Sequence, residues 1–352
     1  MNVCYTPFKK MNKYSTILNL MKGIIFFLFI FLVFFSGTDK TKNKLDQKWG
    51  FFGHKRINRI AVFTLPPEMF GFYKEHIEFL TEHAVDPDKR RYAVEGEAQC
   101  HYIDLDHYYK PGENPFTVMP RKWNDAVKKF TEDTLQAYGI VPWHIQIMKS
   151  KLQYAFENKN VDLILKYSAD IGHYIADAHV PLHTTENYNG QFTGQRGIHG
   201  LWESRLVEIN AENYDYFVGK GVYIPRLLDF TWNAIEASHN ALDSVLRIEK
   251  ELSIEFPSDQ KYSFEQRGNS TVSVYSKEFC ALYHQRLNGM VERRMRAAIC
   301  AIGSVWLTAW IDAGQPDLSK LQEKKPSPEL LKEFKELDAH FHNEKHKGRI
   351  CD

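Results

Sequence analysis

Cysteine is scarce in this chain, five residues in 352, and no two of them form a CxxC pair. Zinc ribbons and cluster-binding folds are thereby excluded, and any metal chemistry has to come from His and carboxylates. An excess of either charge is also missing, with 45 Lys plus Arg against 44 Asp plus Glu. A protein that grips duplex nucleic acid through a basic face needs the opposite. Periodic glycine, tandem repeats and low-complexity linkers are absent between Trp49 and Pro316, which removes collagen-like, solenoid and wholly disordered classes. His-rich tracts, the mark of metal storage, are absent as well. Strand-like alternation is confined to fragments such as Thr271–Tyr275.

The neutral charge is a sum of unlike parts. Residues 1–48 carry eight Lys and two Asp, a net charge of +6, whereas the remainder holds 37 basic and 42 acidic residues, a net charge of −5. Within the basic part, Gly23–Phe35 reads GIIFFLFIFLVFF, preceded by Lys22 and followed by Ser36-Gly37. Thirteen apolar residues are too few for a transmembrane helix, which takes about 20, and fit the apolar stretch of a secretory signal. The expectation is a signal peptide over 1–37, with Met21 an alternative start, then a basic linker or pro-segment over 38–48. Export, periplasmic or secreted, follows, with an uncleaved membrane anchor as the alternative. Cys100, Cys280, Cys300 and Cys351 remain after the leader, an even number that suits one or two disulfides whose pairing sequence does not choose.

Beyond residue 48 the pattern is helical. Apolar residues recur every three to four positions over His54–Thr64, Glu68–His83, Asp125–Tyr138, Pro142–Asn158, Val161–Ala178, Leu227–Ile254 and Leu282–Ile311. Residues 49–316 therefore read as one all-α, multi-helix domain. The tail, 317–352, carries eight charges of each sign and reads as a solvated helix or a disordered extension.

Three segments concentrate metal-binding side chains. In SADIGHYIADAHVPLH, His173 and Asp177 are four apart and share a helix face, Pro181 ends the helix and His183 follows. His199 and Glu203 repeat the four-residue spacing in GIHGLWESRL. Upstream lie Asp86 and His101, then Trp49 and His54 in WGFFGH. Any one pair is commonplace on a helix surface, but five such residues fall between 173 and 203, and zinc favours this imidazole and carboxylate mixture.

In this order (WGxxGH, an Asp, HYID, HxxxDxxxPLH, HxxWE) the residues resemble the superfamily that unites zinc-dependent bacterial phospholipases C with mould-type single-strand-specific nucleases, which are also 3′-nucleotidases. The resemblance runs from Trp49 to Glu203 and then fades. It implies an all-α fold with a trinuclear zinc cleft. Asp86, His101 and His173 would hold one ion, Asp177 would bridge it to a second held by His54 and the amino nitrogen and carbonyl of Trp49, and His183, His199 and Glu203 would hold the third. Asp88 is the alternative to Asp86. Asp86 and Asp177 are the expected catalytic carboxylates, since two metals about 3.5–4 Å apart can clamp both the attacking and the leaving oxygen of a phosphodiester. In the family Trp is the mature N-terminus, so the amine ligand of Trp49 requires a second trimming after Lys48.

Three features lean toward the nuclease branch: the five-residue step from Trp49 to His54, the fifteen-residue step from Asp86 to His101, and Trp202 before the last carboxylate. Two lean toward the phospholipase branch: that carboxylate is Glu203, and only sixteen residues separate His183 from His199. The leading expectation is a zinc-dependent phosphodiesterase of nuclease type, with phospholipase C as alternative and a degenerate, non-catalytic envelope-binding protein as a second. A nuclease would use Tyr102 and Asp104 as a base pocket and one of Lys89, Arg90 and Arg91 on the phosphate. The substrate would then be single-stranded nucleic acid or a nucleotide, otherwise a phospholipid. No protein partner is indicated.

Overall fold

The computed structural model describes Met1 and residues 51–343 other than 92, 268 and 269. The expected leader, the 38–48 segment, Trp49 and Cys351 lie outside the described residues. The chain divides after Gln47, and the helices and hairpin described below belong to the unit that begins at Lys48.

One helix organises the domain. Residues Val161–Ala178 form α3, capped by the Asn160 side chain, which accepts from Leu163 N at 3.1 Å. From Ser168 to Ala178 every residue is buried. A helix enclosed on all sides must sit at the centre of a larger assembly, and four helices surround it: α1 (Phe51–Ala61), α2 (Val141–Glu157), α4 (Leu227–Glu255) and α5 (Met290–Asp312). Among the described residues the only sheet is a hairpin, β1 (Tyr262–Arg267) antiparallel to β2 (Ser270–Tyr275), in the register Tyr262 to Tyr275. No helix among them is long and apolar enough to cross a membrane.

The helical expectations hold with three breaks. Glu68–His83 is interrupted at His76, Asp125–Tyr138 at Thr131, whose φ is 69°, and Leu282–Ile311 at Asn288-Gly289, with φ of 48° and 71°. The last break is an Asn-Gly turn, the dipeptide that most readily takes left-handed backbone. The tail differs from its expectation more seriously. Residues Pro328–Asn343 form a helix, α6, that buries Leu330, Phe334 and Phe341 against the domain instead of lying solvated. Among the described residues Cys100, Cys280 and Cys300 are free thiols rather than disulfide halves.

A close crossing sets the site. Asn58 on α1 donates from Nδ2 to Ala169 O on α3 at 3.0 Å, and a Cβ on Gly172 would lie 2.1 Å from Asn58 Oδ1. Only glycine leaves room for the Asn58 carboxamide that ties the two helices, and at this crossing His54 stacks on His173 with ring centroids 4.0 Å apart. Gly172→Ala should therefore destabilise the protein by about 1–3 kcal/mol through overpacking, outweighing the ~1 kcal/mol that alanine gains in helix propensity. Thermal unfolding measures this, and a raised Tm would refute the packing argument.

Candidate metal centre

Three groups of ligand atoms meet where α1 and α3 converge with four short segments, Asp86–Arg90, Ala98–His101, Pro181–Thr184 and the stretch from Ile198 to Arg205. In the first, His101 Nδ1 lies 3.0 Å from His173 Nε2 and 2.9 Å from Asp177 Oδ2, with His173 Nε2 3.3 Å from that oxygen. Asp88 Oδ1 closes the group at 3.6 Å from His173 Nε2 and 3.8 Å from His101 Nδ1. A tetrahedron of metal–ligand bonds of about 2.0–2.1 Å has edges of about 3.3 Å. These five edges bracket that value, and the residues fit a zinc ion.

The second group is His54 Nε2 with Asp177 Oδ1 at 3.4 Å and Glu203 Oε1 at 3.0 Å. The third is His183 Nε2, His199 Nε2 and Glu203 Oε2, where the imidazole nitrogens are 3.1 Å apart and the oxygen lies 2.6 and 3.4 Å from them. The ligand atoms of His101, His173 and Asp177, of the second group and of the third each lie within 4.8 Å of one another, and Asp88 is so placed with His54 and His173. Asp177 thus spans the first and second groups, and Glu203 spans the second and third.

In two of the imidazoles the second ring nitrogen is oriented as a metal ligand requires. His173 Nδ1 donates to Ala84 O at 2.9 Å and His183 Nδ1 to His101 O at 2.7 Å, which fixes a tautomer whose Nε2 lone pair faces the cluster. Ile103 N returns a bond to His183 O at 2.9 Å, so the His101 and His183 segments hold one another in place. His199 lies in a helical stretch that begins at Ile198, is preceded by a bond from Gly197 N to Asn189 Oδ1 at 2.9 Å, and passes through a π-turn at Leu201–Arg205. Arg205 ties this turn to the hairpin through Glu265 at 3.1 Å and Tyr275 O at 3.2 Å.

Burial lowers the His101 imidazole in spite of Asp177, but at Asp177, Glu203 and His173 charge persists against burial because opposite charges face each other. Burial would raise the Asp177 carboxyl, but His173, His183 and His101 hold it well below the usual carboxylate range. Glu203 is held low in the same way by His183, His199 and His54. Burial would lower His173, but Asp177 and Asp88 carry it to about 9. The carboxylates here are arranged to stabilise positive charge, whether proton or metal.

The structure brings together His54, His101, His173, Asp177, His183, His199 and Glu203, the residues that the resemblance grouped as ligands. Asp86 is the exception. It is buried away from the cluster, with its oxygens on His83 Nδ1 at 2.6 Å and Lys89 Nζ at 2.7 Å, and it is Asp88 that faces the imidazoles. The cations expected at the phosphate are engaged by carboxylates in the same region. Lys89 is buried between Asp86 and Asp338, each at 2.7 Å, while Arg90 meets Asp170 at 3.0 Å and Glu97 at 3.4 Å. Tyr102 is half-buried, with its carbonyl and ring pressed where a Cβ on Gly139 would stand, and Asp104 is buried. Neither residue belongs to a ligand group. What sequence reasoning missed is the second role of Glu203, whose Oε1 reaches His54.

Comparison with known proteins agrees with this chemistry. The sequence model of a family described as zinc dependent phospholipase C matches residues 53–253, more than half of the chain. Among solved structures, the crystal structure of Clostridium perfringens alpha-toxin from avian strain SWCP is similar, with 13% identity and a TM-score of 0.43 over 79% of this chain and 67% of the toxin. Among curated proteins none matches.

Proposed function

The chain belongs to the zinc-dependent phospholipase C family, and from that premise we propose that this zinc-dependent phosphodiesterase acts on the phosphodiester of phospholipids rather than of nucleic acid. The observation that carries the choice is the exchange of Asp86 for Asp88. The fifteen-residue step from Asp86 to His101 was one of three features favouring a nuclease, and it vanishes once Asp88 is the residue at the cluster. The cations a nuclease would offer to phosphate, Lys89 and Arg90, are held by carboxylates. Glu203 and the short step from His183 to His199, the phospholipase-leaning pair, both stand within the third ligand group.

Asp88, His101, His173 and Asp177 would hold one zinc, His54 with Asp177 and Glu203 a second, and His183, His199 and Glu203 a third. Bound zinc supplies Lewis-acid stabilisation of phosphate charge and a water nucleophile at neutral pH. The protein fixes the tautomers of His173 and His183 through backbone carbonyls, keeps both bridging carboxylates ionised, and holds the ligand segments rigidly on a buried helix. A body of net charge −5 repels long polyanions, which suits a zwitterionic headgroup better than a nucleic acid strand. Export, expected from the apolar stretch at 23–35, would place such an enzyme where foreign or envelope lipid is available.

Four substrates separate the readings: phosphatidylcholine vesicles, single-stranded DNA, a 3′-mononucleotide and bis-p-nitrophenyl phosphate. The expected result is release of phosphocholine and diacylglycerol, together with slower turnover of the synthetic diester. Cleavage of DNA or of the 3′-nucleotide with the lipid left intact would reverse the assignment.

A further inference from the structure

Helix α6 lies beyond the residues that match the family, yet it touches the metal centre's supports at three points. Asp338 accepts from Lys89 Nζ at 2.7 Å, and the same nitrogen donates to Asp86 at 2.7 Å. Asp86 takes its other bond from His83, whose ring lies on Phe334 with centroids 3.9 Å apart. Phe341 packs against Phe51 at 6.1 Å and joins Val85 and Phe51 in a small apolar cluster separate from the main core.

These contacts address two ligands at once. Asp88 sits in a five-residue helix, Asp86–Arg90, too short to hold its own shape. Its place must be set from outside. Asp86 and Lys89, three apart, share the face turned to α6, whereas Asp88 stands about 200° around the helix from Asp86 and faces the imidazoles. Pinning one face therefore aims the other. Phe51 stands three residues before His54 in the first turn of α1, on the same side of the helix. We propose that α6 is part of the catalytic apparatus, with Asp338 and Phe341 as positioning residues that aim Asp88, through Lys89 and Asp86, and His54, through Phe51, into the zinc cluster.

The inference rests on the zinc phosphodiesterase reading, and its test keeps the two apart. Full-length Asp338→Ala, Asp338→Asn, Asp338→Glu, Phe341→Ala and Phe341→Leu are compared with Asp177→Asn. Zinc per chain is measured across a titration with a competing chelator, kcat and KM are measured on bis-p-nitrophenyl phosphate, and thermal melts register folding. Loss of supporting contacts around metal ligands typically costs about 10–100-fold in metal affinity or activity. Asp338→Ala and Phe341→Ala should thus release at least one zinc at about tenfold lower chelator and lower kcat with little change in KM. Asp338→Glu should recover most of the loss, and the near-isosteric Asp338→Asn and Phe341→Leu keep the test decisive where alanine unfolds the chain. A lower Tm with zinc retention and kcat unchanged would make the helix merely structural and overturn the proposal. Retained zinc and activity in Asp177→Asn would instead overturn the underlying reading.

Discussion

Asp177→Asn is expected to lower kcat/KM on bis-p-nitrophenyl phosphate on the order of 10³-fold or more, a loss of about 4 kcal/mol of transition-state stabilisation. The substitution keeps shape and removes charge. Asp177 is 1% exposed and gives Oδ2 to His101 and His173 while Oδ1 faces His54. An amide would present an N–H donor to one of these groups, where a metal ligand must present a lone pair. Steady-state kinetics with zinc analysis checks the result. Activity within a few fold of the parent would show that the bridging arrangement does not serve the reaction.

Chelation should have the other large effect. Stripping zinc is expected to abolish phosphodiesterase activity and to lower Tm by roughly 10 °C, since an ion present at about a thousand times its Kd stabilises by ~4 kcal/mol. Buried carboxylates and imidazoles that have lost their ions also hold one another less well than they hold a metal. The pH dependence has a definite sign. Burial disfavours a proton on His173, but Asp177 and Asp88 carry its pKa to about 9, so at neutral pH a proton competes with the metal for that nitrogen. Zinc should be stripped by less chelator at pH 6 than at pH 8. Atomic absorption after dialysis at the two pH values tests this, and equal retention would contradict it.

Much of the centre is legible in the sequence because its ligands sit on a regular element or at a fixed offset from one. His173 and Asp177 can be placed on one face because α3 has a readable cap at Asn160 and a stop at Pro181. Asp86 and Asp88 cannot be told apart in this way. Two residues apart in a helical turn face nearly opposite directions, and only the surroundings decide which meets the imidazoles. The surroundings here include α6, whose stripe of Leu330, Phe334, Leu337 and Phe341 has helical spacing but is hidden among charges of both signs. The break at Asn288-Gly289 was equally available as a turn signal, and the continuous apolar period on both sides of it obscured it. Strand β1 escaped notice because its alternation puts Tyr262 and Phe264 on the exposed side, so its pattern does not read as a half-buried strand.

The two shared carboxylates would link the three ligand groups into one binding equilibrium. Asp177, shared with the first group, and Glu203, shared with the third, both face His54, so filling either outer group would change the carboxylate that the middle one offers. Reciprocity then requires the middle ion to change the affinity of each outer group by the same factor. Zinc uptake would then be linked across the three groups through the carboxylates they share, and a titration would register the groups together rather than as independent sites.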